Sequence, residues 1–65
     1  MPNEIQPALM RAPEVATLLA ISRPMVYKMT TAGQLPKPVK MGTVLRWRRR
    51  DIEAVAAGTW LPEAV

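Results

Sequence analysis

The stretch GQLPKP, Gly33 to Pro38, splits this chain into two halves of different period. Pro36 and Pro38 lack a backbone N–H and push the residues before them into extended conformation, so no helix can cross the segment. Upstream, apolar residues recur at helical spacing; downstream they alternate. The chain must therefore turn near its middle and change architecture there.

In APEVATLLA, Pro13 suits the first turn of a helix and Glu14 the positive end of its dipole. Val15, Leu18 and Leu19 fall at i, i+3 and i+4 on one apolar face. Neither Arg11 nor Ala12 is a capping residue, so this helix of about two turns is expected to fray and to need a packing partner. The connection AIS is tight. Beyond it, Ser22 is placed to accept a hydrogen bond from the Met25 N–H as an N-cap, and Pro24 lies in the first turn, where its missing N–H costs nothing. A second helix is expected from Arg23 to Ala32, ended by Gly33 in the left-handed conformation. Its buried stripe is Val26, Met29 and Thr30; Arg23, Pro24, Tyr27, Lys28 and Thr31 share the other face.

After the elbow, VKMGTVLRWR reads as a two-stranded hairpin turning at Gly42 and Thr43. Val39, Met41, Leu45 and Trp47 are assigned to an apolar inner face, and Lys40, Arg46 and Arg48 to a basic outer one. Because a lone hairpin is barely stable, the inner face should close over the helices. RRDIEAVAAG then gives a third helix, with Asp51 and Glu53 near its start, Ile52, Val55 and Ala56 as its apolar positions and Gly58 as its stop. The expected fold is mainly α with a small β-hairpin: helix, helix, two-stranded wing, helix, a winged helix-turn-helix. Residues 1–8, with MPNEIQP, read as a flexible leader, 9–58 as the domain and 59–65 as a tail.

With 65 residues, the chain has room for one small domain, which buries only about 60% of the surface it exposes when unfolded. It contains no Cys and no His. Disulfides, Cys/His zinc sites and the usual nucleophile–base pairs are thereby removed, and neither enzymatic activity, a metal, a cofactor nor a small-molecule ligand is expected. No apolar run approaches the roughly 20 residues of a membrane span, which suggests an intracellular, cytoplasmic protein. Charge is distributed unevenly. Between Glu14 and Asp51 no acidic residue occurs, yet eight of the nine basic residues lie there: Arg23, Lys28, Lys37, Lys40, Arg46, Arg48, Arg49 and Arg50. Such a stretch either projects a positive field toward nucleic acid or is a solvated basic face that keeps the protein soluble.

The run LMRAPEVATLLAISRPMVYKM, followed by GQLPKPVKMG and LRWRRRDIEAV, resembles the small excisionases and AlpA-like DNA-binding proteins of phages and integrated elements, which have a MerR-type winged helix. The resemblance spans Leu9 to Ala57. It implies that the second helix reads the major groove, that the wing contacts the backbone or the adjacent minor groove, and that double-stranded DNA is bound and bent. By matching positions it implies DNA contacts from Ser22, Arg23, Tyr27 and Lys28 in the helix, and from Lys40, Thr43, Arg46 and Arg48 in or beside the wing. Pro24 and Met25 replace small hydroxyl residues of the family pattern, which shifts that turn toward apolar contact with a thymine methyl.

The resemblance implies a recombination directionality factor that steers an integrase toward excision, with an integrase and further copies of the chain along DNA as partners. An AlpA-type transcriptional regulator and a protein-interaction module with a basic face are the alternatives. Single residues also have two readings. Ser22 is a cap or a phosphate contact, and Tyr27 covers the core edge or donates to a phosphate. Trp47 is a core residue or a stacking platform. Trp60 packs back on the domain or anchors a partner, and Arg48 to Arg50 form a free corner or a phosphate-binding one.

Overall fold

A computed structural model of the chain describes residues 7–62. In chain order the elements are β1 (Leu9–Met10), α1 (Ala12–Leu19), α2 (Arg23–Thr31), β2 (Val39–Met41), β3 (Val44–Arg48) and α3 (Arg49–Ala57). This is the expected winged helix-turn-helix with one addition. The short β1 pairs antiparallel with β3, Leu9 opposite Arg48 and Met10 opposite Trp47, making a three-stranded sheet in the order β1-β3-β2. A two-residue strand carries no legible alternation, which is why the sequence did not reveal it. Residues 1–6 of the expected leader and 63–65 of the tail lie outside the described residues. Pro7 and Ala8 are tied to the body: the Arg49 side chain donates to the Pro7 carbonyl at 2.8 Å, and the Arg49 backbone N–H to that of Ala8 at 2.8 Å.

The end of α1 differs from expectation in two ways. Its first turn is capped from within, because the Glu14 carboxylate accepts from the Arg11 N–H at 2.8 Å, with the Arg11 guanidinium 3.7 Å from the same carboxylate. This is the Glu half of a capping box without a Ser or Thr partner. The buried stripe is Ala12, Val15 and Ala16 with Leu19 half-buried, and Leu18, expected inside, is exposed on its flank. At its other end Ala20 takes φ 59, the left-handed cap of α1, and the Ile21 N–H donates back to Ala16 at 2.9 Å. An alanine there bears a steric cost that glycine would not.

In α2 the sequence reading holds closely. Ser22 Oγ accepts from the Met25 N–H at 3.3 Å, Pro24 sits in the first turn, and Gly33 takes φ 79 just beyond Ala32, which caps the helix rather than extending it. Val26 is wholly buried, and Met29 and Thr30 are half-buried. Leu35 and Pro36 of the elbow turn inward, so the non-helical segment helps to close the core. That core comprises Met10, Ala12, Val15, Ala16, Val26, Leu35, Trp47 and Ile52. In α3, Ile52 is buried and Val55 half-buried, but Ala56 faces solvent.

The hairpin corrects the face assignment. Its register pairs Val39 with Arg46, Lys40 with Leu45 and Met41 with Val44. Directly opposed residues share a face and each strand alternates. Lys40, Leu45 and Trp47 therefore share one face, while Val39, Met41, Val44, Arg46 and Arg48 share the other. The sequence reading treated each strand correctly but joined them out of phase. A two-residue loop, with Gly42 at φ 64 in its first position, fixes the register that alternation alone left open. Met41 is consequently exposed rather than inward, and Arg46 is half-buried, donating to the Leu45 carbonyl at 2.9 Å.

Candidate nucleic-acid interface

The open side of α2 carries Arg23, Pro24, Tyr27, Lys28 and Thr31, all exposed, together with Met25. Pinning this helix at its N-terminus is the Ser22 cap, which leaves the first turn regular and its side chains outward. Ser22 Oγ is thus engaged as a cap, the first of its two readings. Tyr27 is 49% exposed, with its ring 6.0 Å from that of Trp47 at 67°, an edge-to-face contact. It covers the core edge while keeping half its surface open. Trp47 itself is fully buried, which excludes base stacking and leaves the core reading.

Trp47 also joins the helix to the wing. It lies on β3, its Nε1 donates to Thr30 Oγ1 of α2 at 3.2 Å, and its ring meets Tyr27 of the same helix. Trp47 therefore ties the wing to α2 with its donor satisfied, and Leu45 of the same strand packs against the core beside it. On the wing, Lys40, Thr43 and Arg48 are exposed.

Ion pairing divides the cations into two groups. Arg11 pairs with Glu14 at 3.7 Å, Arg49 with Glu53 at 3.9 Å and Arg50 with Asp51 at 3.9 Å. Among the described residues no carboxylate pairs with Arg23, Lys28, Lys37, Lys40, Arg46 or Arg48. The corner from Arg48 to Arg50 thus splits: Arg48 is open, Arg50 is open beside Asp51, and Arg49 is consumed in tethering Pro7, Ala8 and Glu53. Sequence reasoning missed that tether, for which nothing in a run of three arginines signals the middle one. It also missed the cap at Glu14, where the spacing of three from Arg11 was a readable signal. The hydrogen bond from the Arg11 N–H, and then the Arg11 charge, hold the Glu14 carboxyl below its ordinary value.

Trp60 is half-buried, its N–H donating to the Ala54 carbonyl at 3.2 Å, and with Leu61 it borders a groove beside Thr31, Lys37 and Arg48. Among the described residues there is no cluster of three or more His, Cys, Asp or Glu side chains able to hold a metal ion, and no helix long and apolar enough to cross a membrane.

A capped helix exposing cations that pair with no carboxylate among the described residues, beside a basic hairpin, defines a winged helix-turn-helix of the DNA-binding class, with double-stranded DNA as its partner. The family model for the helix-turn-helix domain matches residues 9–59, and the chain belongs to that family. No curated protein and no solved structure matches it.

Proposed function

We propose that the protein is a sequence-specific double-stranded DNA-binding protein acting as an excisionase-like directionality factor of site-specific recombination. In this reading α2 enters the major groove. Arg23 and Lys28 read base edges, Pro24 offers apolar contact to a thymine methyl, and Ser22 and Tyr27 lie against phosphates flanking the groove. Lys40, Thr43, Arg46 and Arg48 hold the wing to the backbone. An integrase and further copies of the chain are the protein partners, and several copies side by side supply the bend, since bending a site by 40–90° costs on the order of 1–6 kcal/mol.

The observation that carries the reading is the partition of charge. Among the described residues, the cations left without carboxylates lie on α2, the elbow and the wing, whereas Arg11 and Arg49 are paired and Arg50 stands 3.9 Å from its neighbour Asp51. A basic face serving only solubility has no reason to separate in this way, and neutralising phosphates requires cations that are free. The test is selection from a random duplex pool at physiological salt. Enrichment of spaced direct repeats supports side-by-side binding in a recombination complex. Inverted repeats indicate a symmetric dimeric regulator instead. Absence of enrichment, with binding lost at that salt, contradicts groove reading altogether.

A further inference from the structure

The hairpin register sets Met41 opposite Val44 at the end of the wing, on the face turned away from Leu45 and Trp47. Both are open, at 47% and 38% exposure. Behind them on the same face stand Arg46 and Arg48, with Lys40 on the neighbouring position, and among the described residues none of the three pairs with a carboxylate. An apolar tip on a basic stem matches a partner with an apolar floor between two anionic walls. The minor groove of DNA has that chemistry: phosphates line its edges, about 6 Å apart, and stacked base pairs form its floor.

We infer that Met41, braced by Val44, is a wedge that enters the minor groove beside the site read by α2 and partly unstacks one base-pair step. The inference rests on the DNA-binding reading above and adds how the duplex is kinked. Methionine is slender, unbranched and polarizable, which suits insertion between bases, and the stiff β-branched Val44 across the strand limits its sway. Arg46 and Arg48, on the same face as the wedge, pair with the phosphates along the edges of the widened minor groove. Such a wedge favours a flexible pyrimidine–purine step under the wing, so sequence preference should appear at a position that no side chain reads by hydrogen bonds.

Because Met41 is exposed and belongs neither to the core nor to the residues packed against it, Met41→Ala should melt like the parent protein. The experiment places 2-aminopurine at the step beneath the wing in a selected site and fluorophores at the duplex ends. With the parent protein, 2-aminopurine fluorescence should rise severalfold and end-to-end energy transfer should change. Met41→Ala should lose most of both signals with an unchanged salt slope, and Met41→Leu should keep them. A Met41→Ala variant that unstacks and bends DNA as the parent does overturns the wedge while leaving the DNA-binding reading intact; the same holds if the parent binds without either signal, and the tip would then face a protein. Failure of the parent to bind any duplex overturns both.

Discussion

The second helix and the wing are held in different ways, although the proposed function gives both the same partner. Local devices within its own sequence fix α2: the Ser22 cap, Pro24 in the first turn, Gly33 at the exit and the wholly buried Val26. Strand pairing fixes the hairpin, with β1 on one side of β3 and β2 on the other, and the buried Trp47, with the half-buried Leu45, seats it. The helix geometry is thus locally preset, whereas the wing's depends on register and on the packing of Trp47 and Leu45. A protein that must recognise a sequence and also hold a deformable duplex gains from this division, because sequence readout needs fixed side chains and phosphate contact tolerates adjustment.

Trp47→Ala should abolish the distinction, since it removes the anchor shared by both regions. Truncating a buried Trp costs about 3–5 kcal/mol, against a total of about 3–10 kcal/mol for a domain of this length. Urea denaturation should find the variant largely unfolded or close to it, and DNA binding should disappear with the fold.

Two milder substitutions should separate the regions. Ser22→Ala removes the α2 cap at about 1 kcal/mol. Gly42→Ala imposes a side chain at φ 64, where the surrounding space is open, so its cost of about 1–2 kcal/mol is purely that of the backbone. Thermal melts should show comparable losses, but the binding defects should differ. Ser22→Ala should weaken both duplexes through its lost phosphate contact and the selected one further through the loosened first turn that carries Arg23, and Gly42→Ala should weaken both alike.

In the opposite direction, Ala20→Gly relieves the left-handed alanine between α1 and α2 and should stabilise the domain by about 0.5–1 kcal/mol, read as a higher Tm. The smallest effect is that of pH on α1. Glu14 is held below its ordinary value by the Arg11 N–H, so its contribution is present above about pH 4.3 and is lost as pH falls through the lower folded value. In Glu14→Gln the component of acid destabilisation due to this group should be missing, as a comparison of stability against pH would show.

The same contrast explains what was legible in the sequence. Caps, proline positions and glycine exits are local, and α2 could be read from them almost residue by residue, including its open face. Strand register is not local. The alternation in VKM and VLRWR was visible, yet only the two-residue loop decides that Met41 lies beside Val44 and that Leu45 lies beside Lys40. The short β1 and the capture of Arg49 by Pro7, Ala8 and Glu53 arise from contacts between distant parts of the chain, and no periodicity announces them. The left-handed Ala20 was hidden because the residue itself disfavours that conformation.

The central claim is that α2 carries specificity and the wing carries charge neutralisation. It is tested most directly by measuring Kd for a selected and a random duplex across a range of salt concentrations, for Arg23→Ala and Lys40→Ala. The account predicts that Arg23→Ala loses about 1–3 kcal/mol more on the selected duplex than on the random one. For Lys40→Ala it predicts equal weakening on both and a log–log salt slope shallower by about 0.9. Equal weakening of both duplexes by Arg23→Ala, with an unchanged slope for Lys40→Ala, would contradict it.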